Sequence, residues 1–170
     1  MNIDYVINNS DDEKNIVFSF DNTKLENIMR EVLDEVNLAV KEGNSPFAAF
    51  LVDRNGNIIY KAHNTVNSDM DPTLHAEISL IRKACKALNT KDLSEYILFS
   101  NAWSCSMCMS AAIKANISNY VFGAESESGM NPNITIYDVA KKTNRKLNIV
   151  DGILKEECRL QIENARNKKR

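Results

Sequence analysis

From Leu25 through Ile28, Met29, Val32 and Val36 to Ala39 and Val40, apolar residues recur at helical spacing, with Glu, Asp and Lys between them. Thr23 and Glu26 form a capping-box pattern at the start of this segment, and Gly43 stands near its end. The period then changes. Residues 47–52 and 58–60 are short apolar runs flanking Asn55-Gly56, a dipeptide that readily takes the positive φ angles of a tight turn, so an antiparallel hairpin is predicted. A polar loop, residues 64–73, leads through Asp71-Pro72 into a second helix with Ile78, Ile81, Cys85 and Leu88 on one face. His75 and Glu77 fall at its start. Residues 96–100 read as a buried strand, Cys105-Ser106-Met107-Cys108 opens a third helix that continues through Ala111, Ala112 and Ile113, and residues 120–123 read as another strand. Beyond Gly123 the pattern gives a short helix at 136–142, a strand at 147–150 and a last helix from Leu154 to about Ala165.

Helices alternating with strands predict an α/β domain, in which ligands gather at strand ends and helix N-termini. Residues 21–170 are read as one domain behind an extension of residues 1–20, where 16–20 alternate long enough only for an edge strand or docking arm. No run approaches the ~20 apolar residues of a bilayer span, and the polar, acidic N-terminus does not read as a signal peptide. A cytoplasmic protein with no membrane attachment is expected.

The formal net charge of −2 gives no broad attraction to nucleic acid, although Arg166, Lys168, Lys169 and Arg170 cluster at the C-terminus. A solvated tail is the plainer reading of that cluster. Of the four cysteines, Cys85 and Cys158 lie in helical apolar patterns and are expected to be reduced core residues. Cys105 and Cys108 need another explanation.

A hydrolytic zinc site takes three protein ligands and leaves a fourth position for water. His75, Cys105 and Cys108 supply three. In Cys-x-x-Cys at a helix start both sulfurs fall on one side of a turn, beside unpaired N–H groups that favour thiolate. Glu77, two residues after His75, is placed to move the water's protons to a leaving amine. Separately these are modest signals, since a lone Cys-x-x-Cys also suits redox or structural zinc; together they specify a chemistry.

His-Ala-Glu opening one helix, followed one strand later by Cys-x-x-Cys opening the next, resembles the zinc nucleobase and nucleoside deaminases. Asn64-Thr65-Val66, the run from Asp71 to Glu77, and Ile81-Arg82-Lys83-Ala84-Cys85 look like the branch that holds guanine deaminases, nucleoside deaminases and tRNA adenosine deaminases. The resemblance runs from about Pro46 to Gly123. It implies a cytidine-deaminase-like three-layer α/β/α sandwich on a mixed sheet of about five strands, a Zn2+ cofactor and a homodimer. By matching position, Asn64 would hydrogen-bond the base, Phe47 would line the pocket, and the backbones of Ala49 and Cys105 would face the substrate or the water.

The chain departs from the family pattern beside the first cysteine, where Trp103-Ser104 stands in place of Glu-Pro, and in the first strand, where Ala48 replaces a glycine. Ser104 is expected to N-cap the third helix. Trp103 is a candidate to stack on a substrate base, with packing the plainer reading. His63 is read as a polar strand-end residue, and Met107 and Met109 as packing. Three functions stay open: deamination of a free base or nucleoside, with guanine-type purines first; deamination of tRNA adenosine; and a non-catalytic relative that keeps zinc. Glu125, Glu127 and Asp138 are candidates for a second acidic group.

Overall fold

The computed structural model describes residues 6–7, 20–125 and 134–168. Its elements are β1 (Val6–Ile7), α1 (Asn22–Lys41), β2 (Ala48–Val52), β3 (Ile58–His63), α2 (Ala76–Ala87), β4 (Ile97–Ala102), α3 (Ser106–Lys114), β5 (Asn119–Ala124), α4 (Ile136–Lys142), β6 (Leu147–Val150) and α5 (Lys155–Asn167). The sheet order is β1-β6-β5-β4-β2-β3, with β4, β5 and β6 mutually parallel and the remaining pairs antiparallel. The five expected strands form its body. A sixth, the two-residue β1, adds an edge in the N-terminal extension; the run at 16–19, where an edge strand was expected, lies outside the described residues.

Each strand sends alternate side chains to opposite faces, which divides the core in two. Ala49, Leu51, Leu98, Tyr120 and Phe122 pack under α2, α3 and α4. Ala48, Phe50, Val52, Phe99 and Val121 pack under α1 and α5. The result is a three-layer sandwich around a mixed sheet.

Local details depart from the sequence pattern for identifiable reasons. Helix α1 is capped by Asp21, whose side chain accepts from the amide of Lys24 at 2.8 Å, so Thr23 lies inside the first turn. A carboxylate two residues earlier meets the exposed N–H end better than the hydroxyl would. On α2 the buried stripe is Ala76, Leu80 and Ala84 instead of the face through Ile78. Two alanines let this helix lie close to the sheet, and Ile81, Cys85 and Leu88 pack along its flank. In the hairpin, Asp53 Oδ1 accepts from the amides of Asn55 and Asn57 at 2.9 and 2.8 Å, and Gly56 takes φ 85°. On α3, Met109 is buried as expected but Met107 is exposed.

Cys158 is buried and Cys85 half-buried, both unpaired. Gly123 explains how closely α5 sits on β5: a Cβ there would overlap Cys158 Sγ and lie 2.7 Å from the carbonyl oxygen of Asn101. His63 is no bland strand end, because its Nδ1 meets Glu35 at 2.7 Å and its Nε2 meets Glu42 at 2.9 Å, tying β3 to α1. Burial of the ring opposes its charged form, but the bonds to the two glutamates outweigh that and raise its pKa.

Gly123→Ala should destabilise the fold by about 2 kcal/mol, read as a lowered denaturant midpoint, because backbone and a buried sulfur must both give way. A raised histidine pKa contributes stability that is fully present below the unfolded value near 6.5 and is lost as pH rises through the folded value. His63→Asn should therefore cost about 1 kcal/mol at pH 6 and clearly less at pH 8.5, measured by melting temperature across that range.

Candidate metal centre and active site

The chain folds so that two helix N-termini meet at the C-terminal end of β4. Strand β3 leads to α2, β4 leads directly into α3, and the parallel β4–β5 pairing fixes α3 as the crossover between them. His75 is the N-cap residue of α2 and Cys105 that of α3, and neither side chain caps its own helix. Both are left to face each other.

The turn that delivers His75 is built by the Asp71-Pro72-Thr73 segment. Asp71 Oδ1 accepts from the Thr73 amide at 2.8 Å and from the Thr73 hydroxyl at 2.7 Å, and the His75 amide donates to the Thr73 carbonyl at 2.8 Å. Leu74 returns a carbonyl to the Thr65 amide at 3.1 Å, which ties this turn to the loop after β3.

His75, Cys105 and Cys108 form a cluster whose ligand atoms all lie within 4.8 Å of one another. Cys105 Sγ is 3.6 Å from His75 Nδ1 and 3.5 Å from Cys108 Sγ. Tetrahedral zinc, with sulfur at about 2.3 Å and nitrogen at about 2.05 Å, requires a sulfur–nitrogen edge of about 3.6 Å and a sulfur–sulfur edge of about 3.8 Å. The donor set and its spacing fit the ion.

The electrostatics agree. A hydrogen bond from Cys108 is the main influence on Cys105; with help from His75 it overcomes burial and brings that thiol down to about 4. The same bond and burial push Cys108 up, with Glu77 adding to the effect, and the Cys105 sulfur in turn raises the His75 imidazole. One thiolate is stable here on protein terms alone. A second needs a cation beside it, which is what a coordinated metal provides.

Glu77 lies in the first turn of α2 and is 5% exposed. Burial raises its pKa above the usual carboxylate range, opposed by a hydrogen bond from Ser104. That bond corrects the reading of Ser104 as a helix cap: Cys105 holds the N-cap position, while the Ser104 hydroxyl donates to Glu77 Oε1 at 2.6 Å. The cap position went to the residue whose backbone starts the helix, and the hydroxyl was left free to turn inward.

The remaining candidates surround this centre unequally. Asn64 is buried, with its amide donating to the Phe47 carbonyl at 2.9 Å and its Oδ1 accepting from the Val66 amide at 3.2 Å. Phe47 is half-buried at the entrance to β2. Ala49 is fully buried in that strand, its side chain in the core that also holds Ala76 and Leu80. Trp103 donates its indole N–H to Asp151 Oδ1 at 2.9 Å and meets the Tyr137 ring edge to face, with centroids 5.3 Å apart. That is a packing arrangement.

Two buried asparagines escaped the sequence reading. Asn101, at the end of β4, accepts from the Ala48 amide and donates to the Pro46 carbonyl, both at 3.0 Å, and so clamps the entry to β2. Asn44 Oδ1 accepts from the amides of Asn67 and Ser68, at 3.1 and 3.0 Å, joining the end of α1 to the loop after Asn64. A polar residue at the end of an apolar run was the available signal for Asn101; the predicted strand stopped one residue short of it. Glu125 pairs with Lys155, Asp138 caps α4 through Thr135, and Glu127 lies outside the described residues.

The cytidine and deoxycytidylate deaminase zinc-binding region matches residues 22–124. The chain is similar to the tRNA-specific adenosine deaminase of Bacillus subtilis (strain 168), 34% identical over 137 residues that cover 80% of this chain and 84% of that protein. It is also similar to the guanine deaminase of the same strain, 40% identical over 80 residues covering 47% of this chain and 51% of that protein. A solved structure from work on tRNA deaminases that edit A to I at the wobble position of transfer RNA superposes with a TM-score of 0.70 at 26% identity, covering 79% of this chain and 98% of that one.

Replacing Cys108 by serine should take the purified protein from a stoichiometric zinc content to little or none, measured by elemental analysis, while Cys85→Ser leaves it unchanged.

Proposed function

The chain belongs to the zinc-binding cytidine and deoxycytidylate deaminase family, and from that premise we propose that it hydrolyses the exocyclic amine of a nucleobase, with a purine ring as its substrate. The observation that carries this reading is a carboxylate, Glu77, buried beside the His75, Cys105 and Cys108 donor set. A structural metal site has no need of such a group, which weighs against a retired, zinc-keeping relative.

His75, Cys105 and Cys108 would hold zinc. Bound there, it supplies the Lewis acidity that makes a water nucleophilic near neutral pH. Glu77 would take one proton from the attacking water as its oxygen bonds to the ring carbon and pass it to the departing nitrogen, so that ammonia leaves, while the proton remaining on the new hydroxyl moves to the adjacent ring nitrogen and a ring carbonyl remains. By the family resemblance, Asn64, whose backbone amide and Oδ1 are held by Phe47 and Val66, would present its side-chain amide to the base edge, with Phe47 and the backbone of Ala49 beside it. Trp103 is packed against Tyr137, with its N–H committed to Asp151.

Among purines, adenosine within tRNA is the substrate we infer first, because the likeness to a tRNA-specific adenosine deaminase extends over 80% of this chain. An open cleft of about 380 Å³ between β3 and α2 carries Arg82 and Lys83, which we read as part of a phosphate-binding rim, while Lys61 and His63 on the same cleft are paired with Glu31, Glu35 and Glu42. Free guanine is the second reading, favoured by the net charge of −2 and by the 40% identity to a guanine deaminase. The assembly inferred is a homodimer, supported by the exposed apolar side chains of Met70 and Met107. Four unpaired cysteines fit a reducing, cytoplasmic setting, and among the described residues no helix is long and apolar enough to cross a membrane.

Zinc-loaded protein should release ammonia from one member of a panel of adenine, guanine, their nucleosides and a tRNA anticodon stem-loop. Glu77→Gln should lower kcat by about 10²- to 10⁴-fold with zinc content unchanged. Stem-loop binding that weakens steeply with salt selects the tRNA substrate; turnover of guanine with no stem-loop binding at low salt selects the free base. No ammonia from any member of the panel would sink the proposal.

A further inference from the structure

Two of the residues at which this chain departs from its family pattern, Trp103 and Ser104, directly precede Cys105, and Ser104 touches the Glu77 carboxylate. We propose that Ser104 is a positioning residue for Glu77: its hydroxyl fixes one carboxylate oxygen and thereby aims the other at the water and the leaving amine. This rests on the reading of Glu77 as the proton carrier.

Both partners are buried, Ser104 at 2% and Glu77 at 5% exposure, and they lie 27 residues apart in sequence. At 2.6 Å the bond has the short length of a hydroxyl donating to a carboxylate. It engages Oε1. A glutamate side chain has a broad terminal torsion; the Glu77 backbone amide and the Cys108 thiol also bear on this carboxylate, and the Ser104 hydroxyl selects which oxygen is fixed. With Oε1 held, Oε2 is left to exchange the proton.

Ser104 can serve as an anchor because its own position is secured from both sides. On one side the Trp103 amide donates to the Ala124 carbonyl at 3.0 Å, and the Trp103 indole donates to Asp151 at 2.9 Å. On the other, Cys105 begins α3, and its carbonyl accepts the first helical bond from Met109 at 2.9 Å. The hydroxyl is therefore delivered by a fixed stretch of chain, and the bond links α2 to the β4–α3 junction across the space where His75 meets Cys105. A proline at this position has no hydroxyl to offer Glu77.

The test uses full-length, zinc-loaded protein and whichever panel substrate it turns over. Ser104→Ala should lower kcat by about 10- to 100-fold, the range for losing a buried hydrogen bond to a charged group, with KM and zinc content held and the melting temperature lowered by no more than the loss of that one bond requires. Ser104→Thr, which keeps the hydroxyl, should stay within about threefold of wild type. A readout that needs no substrate is the infrared carboxylate stretch of Glu77, assigned by its disappearance in Glu77→Gln: it should move in Ser104→Ala and return in Ser104→Thr.

A band that does not move, a kcat close to wild type in Ser104→Ala, or a threonine variant as slow as the alanine one overturns the inference. So does loss of zinc alongside the loss of turnover, which would make Ser104 a structural residue of the metal centre. A moved band in a protein silent towards the whole panel would remove the deamination reading while supporting the link from Ser104 to Glu77.

Discussion

Everything in this molecule turns on placing two half-buried donors, His75 and Cys105, together with the buried Cys108 and Glu77, where a second thiolate and a carboxylate lack support from water. A buried carboxylate costs several kcal/mol unless it is hydrogen-bonded or faces a cation, and two adjacent thiolates repel each other for the same reason. The fold meets this by converging the N-termini of α2 and α3, whose unpaired N–H groups supply partial positive charge. Glu77 adds the Ser104 hydroxyl to that support. A divalent cation completes the balance, because it stabilises both sulfurs and the carboxylate at once.

Convergence of this kind needs a rigid floor, and the sheet provides it. Strands β2 and β4 are buried along their whole length, and two of the neighbouring segments are fastened by asparagines. Asn101 reaches from the end of β4 to both sides of Phe47, through Pro46 and Ala48. Asn44 fastens the loop after Asn64 to the end of α1. Amide side chains suit this work because they donate and accept simultaneously, which lets one buried residue satisfy two segments of irregular backbone. The pocket is thereby held from the protein side, so less ordering is left to be done when substrate arrives.

The sequence revealed a great deal of this. His75, Cys105 and Cys108 were legible as a donor set, and Glu77 as a carboxylate beside it, because the chemistry proposed for them calls for particular atoms at particular spacing, and their helices were legible from apolar periodicity. What escaped was set by tertiary packing. Ser104 looked like a cap because caps are local, whereas its true partner lies 27 residues away in sequence. His63 looked bland because Glu35 and Glu42 approach it only when α1 lies across β3. The buried stripe of α2 was misplaced by the same cause: periodicity counts bulky residues, but close approach to a sheet selects the small ones, Ala76 and Ala84.

Replacement of the usual Glu-Pro by Trp103-Ser104 illustrates how a rigid junction can be rebuilt from different parts. Proline stiffens a chain through its own ring, fixing φ and removing an amide donor. Here the backbone before Cys105 is instead held by contacts beyond it: the Trp103 amide reaches β5, its indole reaches Asp151, and Tyr137, which donates to the same carboxylate at 3.2 Å, braces the ring. Stiffness imposed by three distant elements leaves the residue beside the cysteine free in type, and serine uses that freedom to bring a hydroxyl to Glu77. The arrangement makes the Glu77 carboxylate depend on α4 and on the chain after β6, which a proline would not have required. Divergence at this pair of positions is therefore better understood as a transfer of rigidity from the backbone to side-chain packing than as the decay of a motif.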